Sequence, residues 1–238
     1  MSDYVDSNTI ISQINAYTSF FFGGYSIQLP YHMGGKESAT TIRSRLTTLC
    51  GGDGTSLTQA QIQTIASNNE AQCGIDCSGF ALRTANESTN NSDVILDYFS
   101  NIARGFDPNF PYSSSKEIRY RYGIGAGTLT NTTYSRQITN ITNIKAGDFI
   151  RFDSGDHVAV VKQIESGYLQ GMLRYIINYS HSSGSKGPHN AYIAFSATSM
   201  EALAQKSLTD GTWSDWNSSY STTIKNLYNY VCRPNCLD

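Results

Sequence analysis

The chain has 238 residues, of which 39% are hydrophobic, 12% aromatic and only 15% charged, with seventeen basic against nineteen acidic residues and a formal net charge of -2. That length supports one large domain, or one domain with a substantial extension, and buries a core without staples. The absence of any Lys or Arg run excludes nucleic acid as a partner, and apolar runs such as residues 20–22 and 157–161 fall far short of the roughly 20 residues a membrane span needs.

In chain order, the N-terminus "MSDYVDSNTIISQ" carries two aspartates where a secretory signal would be positive, and no apolar h-region follows. Either a leader has been removed or export takes a route without a signal peptide. Residues 8–21 place Ile10, Ile11, Ile14 and Tyr17 at helical spacing, closed by Gly23 and Gly24. "LPYHMGGK" reads as a turn region. Residues 36–49 form a second helix on Ile42, Leu46 and Leu49, stopped by "GGDG", and residues 59–66 a third, capped by Ser56 or Thr58. Phe80, Ala81, Leu82 and Ala85 predict a helix beginning at or just after Cys77, and residues 93–103 another. Residues 107–143 are rich in Gly, Tyr, Ser, Thr and Asn, a long irregular stretch of the kind that forms a lid or binding surface.

Beyond Lys145 the character changes. "DFIRF", "HVAVVKQI", "LRYIINYSH" and "AYIAFSA" are short β-rich runs separated by turn-like segments, an antiparallel meander. Residues 201–208 read as a last helix before a Trp- and Tyr-containing tail. Helices first and strands later describe an α+β domain, with no internal repeat.

Five cysteines, Cys50, Cys73, Cys77, Cys232 and Cys236, are an odd number. In an oxidising compartment four can pair; Cys232 with Cys236 and Cys50 with Cys73 would leave Cys77 over, and five reduced thiols are the alternative. Zinc is disfavoured because the two cysteine pairs lie far apart and no HExxH or EF-hand loop occurs; "GGDG" and "GIGAG" lack the context of a phosphate cradle. No metal or cofactor is expected. A cysteine nucleophile needs a thiol at a helix start, an imidazole within reach and a polar group to orient that imidazole. Cys77 fits the first requirement, and a helix N-terminus would lower its pKa. Asp76 and Ser78 can serve the turn and cap, while Gly74 and Gly79 permit close backbone packing. Standing alone, "GIDCSGF" would equally describe a buried cysteine on an apolar helix face.

It is followed, however, by "KAGDFIRFDSGDHVAVV", with His157 opening an apolar strand 80 residues after the cysteine. Together these segments resemble the NlpC-type cell-wall peptidases, a papain-like group of cysteine hydrolases whose signatures are a Gly-hydrophobic-Asp-Cys-Ser-Gly box and a Pro-Gly-Asp strand start leading to His-Val-Gly. Ala146 stands for the usual Pro and Ala159 for the usual Gly. The resemblance implies Cys77 as nucleophile, His157 as base, and His181 of "SHSSGSKG" as the third member on the next strand, with Asn178 in reserve. The gap from His157 to His181 is longer than the family norm, which implies an extended hairpin. "LPYHMGGK" resembles the family's Pro-Tyr-x-x-Gly-Gly stretch, making Tyr31 the counterpart of a tyrosine beside the thiol, although 46 residues separate it from Cys77. A helical insertion near 36–70 would account for that distance. Asp76, Ser78 and Asn178 are expected to line the substrate.

The resemblance runs discontinuously from about 30 to 195. It implies a single papain-like catalytic domain over 1–238, with that insertion and a C-terminal extension from about 200, and the nucleophile at a helix N-terminus packed on a mostly antiparallel sheet. It further implies a monomeric peptidoglycan hydrolase that cleaves an amide of the peptide stem, from D-glutamate to a diamino acid. Lack of a signal and of wall-binding repeats suggests an antibacterial effector delivered to a neighbour's periplasm, with an immunity protein as partner, or a lysis enzyme. The alternatives are a papain-like acyltransferase or deamidase acting on proteins, and a catalytically idle wall-binding module.

Overall fold

A computed structural model describes residues 3–91, 93–106, 124–152, 156–169, 171–184, 186–196, 202–206, 211–215 and 231–238. The first part of the segment expected to form a lid, residues 107–123, and residues 216–230 of the tail lie outside the described residues.

The first helix, α1 (Ser7–Thr18), starts where the Asp6 carboxylate accepts the Thr9 backbone N–H and buries Ile10, Ile14 and Tyr17, one stripe at i, i+4 and i+7. It ends before a minimal hairpin, β1 (Phe21–Phe22) and β2 (Tyr25–Ser26). Its two-residue loop needs positive φ at both positions, which Gly23 and Gly24 supply at 61° and 89°. The second and third helices, α2 (Ala39–Leu49) and α3 (Gln59–Asn68), begin at Ser38 and at a reciprocal capping box between Thr58 and Gln61. A single turn, α4 (Glu70–Cys73), then delivers the chain to α5 (Cys77–Asn86), all ten residues of which are buried. Helix α6 (Val94–Phe106) packs against α5, and a short α7 (Ala126–Leu129) follows.

Among the described residues the sheet has eight strands, every adjacent pair antiparallel, so the molecule is α+β. The predicted meander is its centre: β4 (Phe149–Phe152), β5 (His157–Leu169), β6 (Met172–Ser183) and β7 (Gly187–Ser196). Strands β5 and β6 are long, and their hairpin is extended as expected. The order across the sheet is β3 (Ser135–Gln137), β10 (Val231–Pro234), β4, β5, β6, β7, β8 (Ala202–Lys206) and β9 (Trp213–Asp215).

The segment expected to be a last helix near 201–208 is instead β8, paired with β7 through Ile193–Gln205 and Ala194–Ala204. Its helix-favouring composition is overridden by the pairing that the open edge of β7 offers. The C-terminal strand β10 inserts between β3 and β4. Arg233 on it donates to both Asp148 carboxylate oxygens, at 2.7 and 2.9 Å, in a buried ion pair at the start of β4.

Both faces of the sheet are covered. Phe149, Val158, Val160 and Cys232 join the helical core around Phe80, Leu82 and Phe99, while Ile150, Phe152, Ala159, Val161, Ile177, Tyr179, Ile193 and Phe195 form a second cluster on the opposite face. Each such aliphatic or aromatic side chain contributes about 1.5–3 kcal/mol on burial. This two-sided packing holds the mouth of the β5–β6 hairpin rigidly against α5. Among the described residues no helix is long and apolar enough to cross a membrane.

Candidate active site

Local sequence sets the cysteine at a helix start. Asp76 is the N-cap of α5: its backbone is extended, and its carboxylate accepts the Gly79 N–H at 2.6 Å. Cys77 is therefore the first helical residue, where no turn lies upstream to accept its N–H. The segment 30–36 packs directly on this start. Ile75 donates to the Pro30 carbonyl and Asp76 to that of Gly35, while Gly34 donates to the Asp76 carboxylate. Glycine is required for this approach. A Cβ on Gly35 would lie 2.5 Å from the Gly74 carbonyl oxygen, and one on Gly79 2.5 Å from that of Gly35. The glycines of "MGGK" and "GIDCSG" thus let two segments touch backbone to backbone, and they carry Tyr31 to the thiol despite the intervening helices. Tyr31 is close enough that the Cys77 and Asp76 charges add to burial in pushing its phenol up to about 12. It remains a hydrogen-bond donor at any physiological pH.

The sheet supplies the imidazole. The β5–β6 ladder runs from Leu169–Met172 to Val160–Ser180, while β4 stays paired with β5 as far as Phe152–His157. Val161 donates its N–H to Asp148 on the β4 side, so by strand alternation the Val158 N–H faces β6. There it lies near enough to the Cys77 sulfur to favour its charged form. The thiol thus takes a place in the mouth of the hairpin, next to the residue that follows His157. Across that mouth, His157 Nε2 and His181 Nδ1 lie 2.6 Å apart, with ring centroids 4.9 Å apart. The structure therefore joins His157 to His181 and sets Cys77 near the backbone of the residue after His157 and near Tyr31.

Asn178 is elsewhere. Three residues before His181 on the same strand, it belongs to the other face of β6, and its buried side-chain oxygen has no hydrogen-bond partner among the described residues. Asp76 and Ser78 lie beneath the thiol rather than beside it in the open. The Lys36 ammonium reaches both carboxylate oxygens of Asp76 at 2.9 Å and also donates to Ser78 Oγ, and all three residues are buried.

The electrostatics correct one expectation. Burial pushes the Cys77 thiol up, and the Asp76 charge adds to this; the Val158 and Ser78 N–H groups and Lys36 pull the other way but do not prevail. With Cys77 only 6% exposed, desolvation of a thiolate outweighs the helix terminus. Burial thus favours the neutral thiol over the thiolate. His181, buried against Phe152, Tyr179 and His189, is held well below the ordinary histidine value by burial first, then by His189 and His157.

Sequence reading missed three residues here. Lys36 carried no signal beyond a charge after two glycines. His189 could have been found by pairing Ser183 with Gly187 across the β6–β7 hairpin, which sets it opposite His181. Ser183, on the same face as His181, has a buried hydroxyl without a partner among the described residues. All five cysteines are free thiols, so neither Cys50 with Cys73 nor Cys232 with Cys236 is bridged. No group of three or more His, Cys, Asp or Glu among the described residues could hold a metal ion.

Compared with protein-family models, curated proteins and solved structures, the chain finds no match.

Proposed function

We propose that this protein is a papain-like cysteine hydrolase of the NlpC type that cleaves an amide bond in the peptide stem of peptidoglycan. The observation that carries the chemistry is the His157–His181 bond of 2.6 Å, on the strand whose next residue, Val158, turns its N–H toward the Cys77 sulfur. Because His181 occupies Nε2, Nδ1 is the nitrogen of His157 that serves the thiol. The choice of substrate rests on the resemblance of "GIDCSGF" and "KAGDFIRFDSGDHVAVV" to that family.

In this reading His157 takes the Cys77 proton as the sulfur attacks the substrate carbonyl, giving a tetrahedral oxyanion. The Cys77 N–H and the Tyr31 hydroxyl donate to that oxygen. Collapse breaks the carbon–nitrogen bond, and the imidazolium passes its proton to the leaving amine. Water, deprotonated by the same imidazole, then hydrolyses the thioester and releases the carboxylic acid. Asp76, Ser78 and Lys36 hold the helix start in place. The bond from D-glutamate to a diamino acid is the proposed target, and delivery to a periplasm or cell wall, with an immunity protein in the producing cell, is the proposed setting.

The test is digestion of purified sacculi by wild type and Cys77→Ala, with mass analysis of the soluble fragments. Wild type releases stem fragments ending in a new carboxyl group, and Cys77→Ala releases none while keeping its circular dichroism. Release by Cys77→Ala refutes the nucleophile. Intact sacculi with a reactive Cys77 refute the substrate and favour a protein-modifying acyltransferase or deamidase.

A further inference from the structure

The β5–β6 hairpin runs on past the strands that flank it. Pairing of β4 with β5 ends at Phe149–Val160, and β7 joins β6 only from Arg174–Ser196 inward, so among the described residues no further strand flanks the last rungs, Tyr168–Leu173 and Leu169–Met172. Directly opposed residues share a face and successive ones alternate. Tyr168 and Leu173 therefore extend the face that carries Ile164, Tyr175 and the buried Ile177, while Leu169 and Met172 stand on the other.

This end of the hairpin is apolar on both faces. Tyr168 is 80% exposed, Met172 51% and Leu173 47%, and no charged residue falls between Glu165 and Arg174 in the sequence. A single exposed apolar side chain is ordinary, but three within six positions at the end of one hairpin make a patch that calls for a cover. A flat protein surface, or a second copy of the chain, would cover one face and leave the other in water. A fluid apolar phase surrounds both. The charges set its depth. Arg174 stands two residues behind Met172, about 7 Å along the strand, which matches the roughly 5–10 Å to which interfacial segments sink. Its guanidinium now rests against the Leu173 carbonyl and Met172 Sδ, at 3.4 and 3.2 Å, and its long stem lets it swing back to phosphate level.

We propose that the tip of the β5–β6 hairpin is a membrane-surface anchor: Tyr168, Leu169, Met172 and Leu173 enter the edge of a bilayer's acyl region, while Glu165 and Arg174 stay among the headgroups. Tyrosine suits that boundary, with an apolar ring and a hydroxyl that keeps contact with water. Glu165 and Arg174 carry opposite charges, so the attraction is apolar rather than electrostatic. The anchor lies on the bilayer and does not span it. His157 opens the same strand whose last residue is Leu169, twelve positions or about 40 Å away along the strand, so a protein held by this tip presents its candidate site away from the membrane.

This inference does not depend on the cysteine–histidine reading, and its test needs no enzymatic activity. The full chain is floated with phosphatidylcholine vesicles, and with vesicles that also contain phosphatidylglycerol, at low and high salt. The proteins compared are wild type, a triple variant carrying Tyr168→Ser, Met172→Ser and Leu173→Ser, and Tyr168→Trp. Wild type should float with both kinds of vesicle, with little effect of salt. The triple variant should keep the wild-type urea midpoint, because the three side chains are exposed, and lose about tenfold or more in partitioning. Tyr168→Trp should bind, and the emission it adds to that of wild type should shift to the blue on vesicles, a readout that stands even if the triple variant folds poorly. The inference is overturned if wild type stays with neither vesicle, if the triple variant floats equally well, or if the added emission does not shift. Binding confined to phosphatidylglycerol and abolished by salt overturns it too, since that is electrostatic attachment. So does a wild-type dimer that forms without lipid and is lost in the triple variant, which would make a second copy the cover.

Discussion

Cys77 is a buried thiol pushed up by its surroundings, and its neighbours are buried groups that share protons and charge. Lys36 and Asp76 form an ion pair in which both side chains are almost wholly buried. Breaking such a pair from one side strands a charge, so Lys36→Met should lower the urea unfolding free energy by about 3–5 kcal/mol. Equal midpoints for the two proteins would show that Asp76 is satisfied by the Gly34 and Gly79 N–H groups alone. Protonation behaves differently at His181. The unfolded chain binds a proton there near pH 6.5, whereas burial keeps the folded group neutral to well below that value. Over that interval the unfolded state holds more protons, so stability is fully present above the unfolded value and falls with pH beneath it. His189 shifts in the same direction. Urea midpoints should therefore drop between pH 7 and pH 5.5, and the drop should be smaller in His181→Phe; identical slopes in the two proteins would contradict the burial of a neutral imidazole.

At the scale of elements, the site is a junction between the start of α5, the 30–36 segment and the mouth of the β5–β6 hairpin. Gly79 shows which force governs that junction. Alanine is the better helix former by about 1 kcal/mol, yet its Cβ would press on the Gly35 carbonyl at 2.5 Å and on Lys36 Cα at 3.0 Å. Both are backbone atoms that cannot swing aside. Overpacking of that kind costs about 1–3 kcal/mol, so Gly79→Ala should destabilise the protein and, by displacing the helix start, slow alkylation of Cys77. A stabilised Gly79→Ala would mean that the two segments do not touch. The starts of α3 and α5 were legible because each is written in a few adjacent residues, Thr58 and Asp76 capping as their side chains dictate, whereas α2, read from residue 36, starts at the Ser38 cap. Strand β8 was not, because a five-residue run of Ala, Leu, Gln and Lys favours helix by itself, and only pairing with β7 makes it a strand.

For the whole molecule, the last strand is a structural centre rather than a tail. Strand β10 lies between β3 and β4, and its Arg233 neutralises Asp148, a carboxylate otherwise buried beside the strand that leads to His157. A chain ending at residue 230 loses those ladders and leaves Asp148 unpaired. It should show no cooperative unfolding transition, measured by circular dichroism in urea, and no selective reactivity at Cys77. A cooperative transition like that of the full chain would show that the sheet closes without β10.

What the sequence determined by itself is what short range controls: the caps, the apolar stripes, the four-strand meander, and a cysteine at the first position of a helix. Pairing of His157 with His181 was implied only by the family resemblance, with Asn178 in reserve on the same strand. The tertiary structure alone decided that Lys36 reaches Asp76, that the chain end enters the sheet, that Asn178 lies on the other face from His181, and that burial outweighs the helix terminus at Cys77. Each depends on distances between residues remote along the chain, and on how much water the assembled core excludes, and neither quantity is encoded in a local pattern.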